Sequence, residues 1–231
     1  MKKIGLVGGT GPESTLMYYK ELIAKIDELT NGTVMPDLSI ESVNFHKAWD
    51  YVTKEQYEEL ADYLSEKVNH LIESGSEIVS LTAGTMHIVY DEIVKKTNVS
   101  LVSIPRAVCE EVVKRGYKKV GLLGTIFTME KDYMKKDLLQ SDVAVFVPEK
   151  SDRELIAKRI FDELERGIVK DSTLHEFNEI IEKMKIEYGI EAVILGCTEL
   201  PLLLNNDNCS LPCLDSVEIH IHKLINLAMN R

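Results

Sequence analysis

Short apolar runs alternate with stretches of helical periodicity along the whole chain. The runs predicted as strands are residues 3–7, 38–43, 77–81, 101–104, 119–123, 143–147 and 192–195. Apolar residues recur at helical spacing in residues 12–29, 55–74, 86–95, 106–115, 151–164, 173–187 and 216–229. Strands that alternate with amphipathic helices are typical of parallel sheets connected by crossover helices. The pattern therefore predicts an α/β fold.

Local signals predict where several of these helices begin and end. Pro12 stands at the expected start of the first helix, because proline fits the first helical position. Gly75 and Gly116 each follow the last residues of a helical pattern, as expected of helix C-termini. Ser151 and Glu154 have the spacing of a capping box, which predicts a helix start at Ser151.

The chain contains an internal repeat. Residues 3–10 resemble residues 119–125, with Gly5 and Gly121 separated by 116 positions, and residues 77–85 resemble 191–199 at an offset of 114. The two similar offsets predict two pseudo-symmetric three-layer α/β/α lobes with parallel sheets. We expect residues 1–100 plus 213–231 to form the first lobe and 101–212 the second. Because ligands gather beyond the carboxyl ends of parallel strands, an active-site cleft is expected between the lobes.

Composition and charge exclude several classes of function. The 231 residues include 27 Lys and Arg against 38 Asp and Glu, a formal net charge of −11. Such an acidic chain repels phosphate backbones, so no nucleic-acid partner is expected. Apolar runs are far shorter than the roughly 20 residues that a membrane-spanning helix needs, so no membrane partner is expected either. These features predict a globular cytoplasmic protein.

Four cysteines are too few and too unevenly spaced for the disulfide framework of a secreted protein. Cys209 and Cys213, with the His-x-His pair at His220 and His222, are residue types that can bind zinc. Residues two apart on a helix point in different directions, so no metal site is predicted. Cys109 is interpreted as a core residue, and Cys209 and Cys213 as structural or incidental.

Two strand ends carry residues suited to chemistry. Residues 8–14 (GGTGPES) lack the P-loop ending and the dinucleotide-binding spacing. They predict either a helix start whose N–H groups hold a small carboxylate or a tight turn without a ligand. Cys197 follows a buried strand and precedes a helical turn, a setting that can lower a thiol pKa from about 8.5. It is a candidate nucleophile or base, and the alternative is a core residue.

Four segments together resemble the aspartate/glutamate racemase family: residues 4–15 (IGLVGGTGPEST), 85–87 (TMH), 124–125 (GT) and 196–199 (GCTE). The resemblance extends over essentially the whole chain. It implies two pseudo-symmetric lobes, a small amino-acid or carboxylate substrate, and racemisation without pyridoxal phosphate or a metal. It also implies a homodimer, because relatives commonly form dimers.

The resemblance further implies that two residues exchange the α-proton on opposite faces of the substrate. Cys197 matches one of them, and Ala83 stands at the position of the other. The family usually has Cys, Thr or Ser near this point, followed by Asn-Thr, whereas this chain has Ala83-Gly84-Thr85. Ala83 cannot move a proton, and Gly84 replaces an asparagine that helps to hold the substrate.

Several explanations of Ala83 remain open. Thr82, Thr85 or His87, or a water that they hold, can deliver the proton in its place. Alternatively, the protein resembles the arylmalonate decarboxylases of the same superfamily, which use only the second-lobe cysteine. It can also be a catalytically impaired homologue that binds a small acid. An introduced substitution at residue 83 would give the same sequence.

The remaining candidates are residues that can bind the substrate. The resemblance implies substrate-binding roles at Thr10, Gly84, Thr85, Thr125, Thr198 and Glu199, although strand-end threonines also cap helices. Lys158 and Arg166 are basic groups to which no role is assigned. Asp215 and His220 are interpreted as supporting or packing residues. The predicted function is a cofactor-independent amino-acid racemase of the aspartate/glutamate type.

Overall fold

The computed structural model describes residues 1–97, 99 and 101–230. In chain order its strands are β1 (Ile4–Gly8), β2 (Leu38–Ser42), β3 (Ile78–Leu81), β4 (Leu101–Val102), β5 (Lys119–Leu123), β6 (Ala144–Phe146), β7 (Ala192–Leu195) and β8 (Cys213–Asp215). Its α-helices are α1 (Pro12–Leu29), α2 (Phe45–Thr53), α3 (Tyr57–Glu73), α4 (Tyr90–Lys96), α5 (Ile104–Lys114), α6 (Ile126–Glu130), α7 (Lys136–Gln140), α8 (Lys150–Asp162), α9 (Asp171–Tyr188) and α10 (Ser216–Ala228). Short 3-10 helices occupy Gly84–Val89, Leu164–Arg166 and Leu200–Leu202.

The strands form two four-stranded parallel sheets of the same design. The first has the order β2-β1-β3-β4, and the second has the order β6-β5-β7-β8. Every strand pair within each sheet is parallel. The predicted α/β class with two parallel-sheet lobes is therefore confirmed.

The strand register repeats between the two sheets. Val7 of β1 pairs with Leu81 of β3 in the first sheet, and Leu123 of β5 pairs with Leu195 of β7 in the second. Ala83 and Cys197 each lie two residues beyond the last paired residue of their strand. The two positions are therefore equivalent in the two units, as the internal repeat of the sequence predicts.

The chain divides into two compact units, which we call unit 1 (Met1–Ile104 with His220–Arg231) and unit 2 (Pro105–Ile219). Residue 100, where the first lobe was expected to end, lies outside the described residues. Residues 101–104, expected in the second lobe, belong to unit 1, because β4 pairs with β3. Residues 213–219, expected in the first lobe, belong to unit 2. The physical reason is β8, a strand that was not predicted and that pairs in parallel with β7. Its three residues are too short to give a recognisable pattern.

Several predicted helices differ from the structure at their starts. Residues 86–95 form a 3-10 helix followed by α4, not one α-helix. The prediction that a capping box at Ser151 starts this helix is wrong, because α8 begins at Lys150 and Ser151 lies inside its first turn. The helices α2, α6 and α7 were not predicted. Among the described residues, no helix is long and apolar enough to cross a membrane.

Candidate active site

The loop after β1 is a tight turn held by Thr15. A Cβ on Gly8 would lie 2.6 Å from Thr15 Cγ2, so glycine is what allows this close approach. The N–H of Gly9 donates a hydrogen bond to Thr15 Oγ1 (2.9 Å), and the N–H of Val43 donates to the Gly8 carbonyl (2.9 Å). Thr10 follows in the same loop and is only 9% exposed. These contacts support the tight-turn interpretation, and a carboxylate-binding role for Thr10 stays a prediction.

Thr82, at the end of β3, is fully buried and is part of the same framework. Its hydroxyl donates to the carbonyl of Val7 (3.3 Å) and lies 3.4 Å from Thr15 Oγ1. Its own carbonyl accepts a hydrogen bond from Ser14 Oγ (2.6 Å). Because Thr82 is engaged on both sides and has no exposed surface, it is poorly placed to exchange a proton with a substrate.

His87 holds the backbone beside Ala83. Its Nδ1 lies 3.1 Å from the Ala83 carbonyl oxygen, and the N–H of Ile104 donates to Nε2 (3.1 Å). A carbonyl can only accept and an amide N–H can only donate, so the ring is neutral with its proton on Nδ1. Burial lowers the pKa of His87 to about 4, against the opposing effect of its backbone hydrogen bonds. His87 therefore positions Ala83 and has no ring nitrogen left for proton transfer.

Ala83, Gly84 and Thr85 form the partly exposed part of this strand end. Ala83 has an extended backbone and directly precedes the 3-10 helix that begins at Gly84. With Thr82 and His87 both engaged, Thr85 is the remaining candidate among the three neighbours considered as substitutes for the missing acid or base. The roles of Gly84 and Thr85 in substrate binding stay predictions.

In unit 2 the loop after β5 repeats the glycine–threonine contact. A Cβ on Gly124 would lie 2.8 Å from Thr128 Cγ2, much as Gly8 approaches Thr15. Thr125 is the N-cap of α6, and its Oγ1 accepts a hydrogen bond from the N–H of Thr128 (3.2 Å). The Thr128 hydroxyl also lies 2.9 Å from Tyr133 Oη. The structure thus gives Thr125 a capping role, and its role in substrate binding stays a prediction.

Cys197 lies beyond β7 and is paired with a carboxylate. Its thiol donates a hydrogen bond to Glu199 Oε2 at 2.6 Å. Burial of the thiol, followed by the charge and hydrogen bond of Glu199, raises the pKa of Cys197 well above its ordinary value. The expectation that this strand end lowers the pKa of Cys197 is wrong, because the thiol is buried and a carboxylate also faces the sulfur. The thiol is therefore protonated at neutral pH, with Glu199 positioned to accept its proton.

Glu165 is a second carboxylate near this pair, and sequence reasoning missed it. Its charge adds to the increase in the pKa of Cys197. Desolvation and the charge of Glu199 in turn raise the pKa of Glu165 itself. It lies on the 3-10 helix Leu164–Arg166, where no motif or periodicity distinguishes it from a surface residue.

An ionic network centred on the buried Glu163 anchors the segment that carries Glu165. Glu163 is buried, and its carboxylate accepts hydrogen bonds from Arg159 (2.8 Å), Lys170 (3.1 Å) and Thr173 (2.6 Å). The hydrogen bond from Thr173 is the largest cause of the lowered pKa of Glu163. This network fixes the connection between α8 and α9. The side chains of Lys158 and Arg166 are exposed, and nothing in the structure assigns them a role.

The other candidate residues have structural contacts of their own. His220 is fully buried, with Nδ1 2.6 Å from Tyr18 Oη and Nε2 3.0 Å from Ser80 Oγ. Asp215 Oδ1 accepts from the N–H groups of Val217 (2.9 Å) and Glu218 (3.2 Å) at the start of α10. Within the residues that the structure describes, no group of three or more His, Cys, Asp and Glu side chains is arranged to hold a metal.

Comparison with known proteins adds the family. The sequence model of the Asp/Glu/hydantoin racemases matches residues 7–224. The chain belongs to this racemase family. The match spans both sheets and includes both strand ends described above.

Solved structures of relatives agree with this racemase family membership. An aspartate racemase homologue from Pyrococcus horikoshii OT3 is 40% identical with a TM-score of 0.89, over 99% of this chain and 100% of that one. A proposed Asp/Glu racemase from Yersinia pestis is 30% identical with a TM-score of 0.94, over 99% of this chain and 100% of that one. The aspartate racemase of Picrophilus torridus, at 19% identity and a TM-score of 0.76, shares the fold over 99% of this chain and 95% of its own.

Proposed function

We propose that this racemase-family protein is a cofactor-independent amino-acid racemase of the aspartate/glutamate type, with Cys197 as the proton carrier on one face of the substrate α-carbon. The observation that carries the proposal is the hydrogen bond of 2.6 Å from the Cys197 thiol to Glu199. A thiol beside a carboxylate can be a base or an acid, depending on which of the two groups holds the proton.

Cys197 and Glu199 together can hold every proton that moves in this half-reaction. Glu199 accepts the thiol proton, and the Cys197 thiolate then takes the substrate α-proton, which leaves a carbanion. In the reverse sense, the Cys197 thiol donates its proton to the carbanion, and the proton on Glu199 returns to the sulfur. The low polarity around Cys197 raises the pKa of its thiol. This brings the pKa of the thiol closer to the high pKa of the substrate α-carbon, which favours proton transfer between them.

The other face of the α-carbon is the one predicted to be served by residue 83. Ala83 has no ionisable group, and Thr82 and His87 are engaged by the backbone. We propose that solvent near Thr85 supplies and removes the proton on this face. Such transfer is slower than transfer by a positioned side chain, so inversion is the slow event and exchange on the Cys197 face is the fast one.

Hydroxyl and amide groups are proposed to bind the substrate carboxylates. Thr10, Gly84, Thr85, Thr125 and Thr198 are the candidates for the carboxylates, and Glu199 is proposed to pair with the substrate ammonium group. A net charge of −11 does not oppose this, because neutral donors at strand ends act locally on an anion. The homodimer and the cytoplasmic location stay predictions.

A second function, a decarboxylase or other lyase that uses Cys197 alone, is favoured by one specific observation. The pKa of Cys197 is raised, so the thiol holds its proton and is ready to donate it to a carbanion left by loss of CO2. This reaction needs a proton on one face only and is compatible with Ala83.

Exchange in D2O separates these functions. The intact protein is incubated with single enantiomers of aspartate, glutamate and neutral amino acids, and α-deuteration is followed by NMR and chirality by chromatography. The racemase proposal predicts deuteration of one enantiomer with retention, accompanied by slower inversion. Because enantiomers have equal free energies, kcat/KM for inversion is the same in both directions, and the asymmetry is visible only in exchange.

Three other outcomes contradict the racemase proposal. Exchange with strict retention indicates a one-faced site without racemase activity. Release of CO2 from a substituted malonate, without exchange of any amino acid, indicates the lyase. Binding of a small acid without exchange or CO2 release indicates a homologue without turnover.

A further inference from the structure

The methyl group of Thr128 packs against the turn that carries Cys197. Gly196 directly follows β7 and directly precedes Cys197, and a Cβ on Gly196 would lie 2.7 Å from Thr128 Cγ2. A Cβ on Gly124, the residue directly after β5, would lie 2.8 Å from the same methyl carbon. Because β5 and β7 are paired neighbours, this one methyl group fills the space at the ends of both strands.

Hydrogen bonds fix the direction in which the Thr128 methyl group points. Thr128 lies on α6 and is only 2% exposed. Its N–H donates to Oγ1 of Thr125, the N-cap of this helix (3.2 Å). Its own hydroxyl lies 3.1 Å from Thr125 Oγ1 and 2.9 Å from Tyr133 Oη. A helical threonine has few side-chain rotamers, and the contacts of the hydroxyl select one of them, so the methyl group is held against the two glycines.

The backbone of Gly196 is also held by β5. The N–H of Gly196 donates to the carbonyl of Leu123 (2.8 Å), and a Cβ at residue 196 would lie 3.0 Å from that carbonyl oxygen. Contact with Leu123 and with Thr128 leaves Gly196 little room to move. The next residue is Cys197, whose thiol donates to Glu199 Oε2 at 2.6 Å. The position of the thiol therefore depends on how Gly196 is held.

Unit 1 has a helix threonine at the equivalent turn. Thr15 Oγ1 lies 3.4 Å from Oγ1 of Thr82, the residue before Ala83. The N–H of Thr82 donates to the carbonyl of Val7 on β1 (3.1 Å), just as Gly196 donates to β5. Both units thus place a threonine against the residue that precedes the predicted reacting position. In unit 2 that residue is glycine, so the threonine methyl group reaches the backbone itself.

We propose that Thr128 is a positioning residue for Cys197, whose methyl group holds the Gly196 backbone so that the thiol stays against Glu199. The consequence for catalysis rests on the proposed racemase function. Without this methyl group a space opens beside Gly196, and glycine has the backbone freedom to move into it. Since proton transfer depends on the distance and angle between the reacting atoms, a displaced thiol should exchange protons more slowly.

Two variants of Thr128 separate the methyl group from the hydroxyl. Thr128→Ser keeps the hydroxyl and loses the methyl group, and it should slow α-deuteration on the Cys197 face about tenfold, as measured by NMR in D2O. Thr128→Val keeps a methyl group in a side chain of the same shape and should recover most of the rate. An unchanged rate in Thr128→Ser would overturn the proposal. A slow valine variant beside a fast serine variant would also overturn it, because the hydroxyl would then be the part that acts.

Alkylation of Cys197 distinguishes positioning from a general loss of stability and needs no turnover. Burial and Glu199 raise the pKa of Cys197, so a looser turn in Thr128→Ser should move the midpoint of the alkylation rate against pH to a lower pH. Thr128→Val should keep the midpoint. Lower thermal stability of Thr128→Ser without a shifted midpoint would overturn the proposal. If the unmodified protein exchanges no amino acid, the racemase proposal fails, and these midpoints still decide the role of Thr128.

Thr97→Ser is the matched control, since it removes a methyl group from a buried threonine of unit 1. The Thr97 hydroxyl donates to the carbonyl of Ile93 (2.9 Å), a bond that serine can also make. This variant should keep both the exchange rate and the alkylation midpoint. If Thr97→Ser changes them as much as Thr128→Ser does, the effect does not come from the turn at Gly196 and the assignment is wrong.

Discussion

Unit 1 continues beyond β3 as Thr-Ala-Gly-Thr at residues 82–85, and unit 2 continues beyond β7 as Gly-Cys-Thr-Glu at residues 196–199. The sheets behind these ends have the same strand order and the same register. In both units a glycine at the end of the neighbouring strand, Gly8 on β1 and Gly124 directly after β5, packs against a helix threonine. The repeat therefore preserves the framework and lets the chemistry of the two ends diverge.

The divergence follows from what surrounds each end. At Ala83 the neighbouring polar side chains turn inward, with Thr82 and His87 both bonded to backbone atoms. At Cys197 the neighbour Glu199 bonds to the side chain itself. One strand end is thus stabilised through its backbone, and the other has a side-chain pair that can move a proton. A pseudo-symmetric fold does not require a symmetric reaction.

The largest expected effect comes from removing the reactive side chain of unit 2. Cys197→Ala should lower α-proton exchange by about 10²–10⁴-fold, because a positioned acid/base is lost. The measurement is deuterium incorporation by NMR, with substrate binding measured separately by calorimetry. Cys109→Ala, which also removes a thiol but lies outside the site, should keep full activity. Retained exchange in Cys197→Ala would assign the chemistry to another residue.

A proton carrier at residue 83 should make the strand end of unit 1 more similar to that of unit 2. Ala83→Cys is expected to accelerate inversion about 10–10²-fold, equally in both directions of kcat/KM, and to allow the previously slow enantiomer to exchange. Ala83→Ser adds a group of similar size but much weaker acidity and should give a smaller gain. The check is chiral chromatography of both enantiomers over time. Unchanged inversion rates in Ala83→Cys would mean that residue 83 does not face the α-carbon.

The two units should also respond differently to acid. Unit 1 contains the buried neutral histidines His87 and His220, whose pKa values are lowered by burial to about 4 and about 3. The unfolded chain protonates them near pH 6.5 and the folded chain does not. Stability is therefore complete above pH 6.5 and falls as the pH drops towards 4, by about 1.4 kcal/mol per pH unit for each histidine.

Hydrogen exchange between pH 6.5 and 4.5 measures this loss. Amides of β1 and β3 in unit 1 should lose protection faster than those of β5 and β7 in unit 2. His175, on the exposed surface of unit 2, provides the control, since His175→Gln should change neither profile. Loss of protection in unit 2 at a higher pH than in unit 1 would contradict the role of His87 and His220 in the acid sensitivity of unit 1.

The smallest expected effect is on the acidity of the Cys197 thiol, when Glu199 loses its charge. Glu199→Gln removes a negative charge from beside the sulfur, so the pKa of Cys197 should fall, although burial still keeps it above its ordinary value. Alkylation of Cys197 at neutral pH should become faster. The midpoint of the alkylation rate plotted against pH should move to lower pH. Glu218→Gln, on the exposed start of α10, is the control. A midpoint that moves upward would show that Glu199 does not raise the pKa.

The sequence pattern predicts the framework better than the site. The strands β5 and β7 and the start of α1 follow from apolar runs and from Pro12, because periodicity and helix starts are local properties. The short strand β8 and the helix α6 have too few residues for a pattern and exist through tertiary pairing. The raised pKa of Cys197 depends on the burial of the thiol and on the direction of the Glu199 side chain. Glu165 comes near that pair only through the fold.

Unit 1 is assembled from two separated stretches of chain, and its buried Tyr18–His220 hydrogen bond joins residues 202 positions apart. Unit 2 is one continuous stretch. During synthesis the ribosome releases all of unit 2 before it releases residue 220, so we expect unit 2 to complete its core first. Unit 1 must keep Tyr18 and Ser80 without their histidine partner for most of the time that the chain is being made. The unit whose first residues are made before unit 2 is then the unit that completes its core after unit 2.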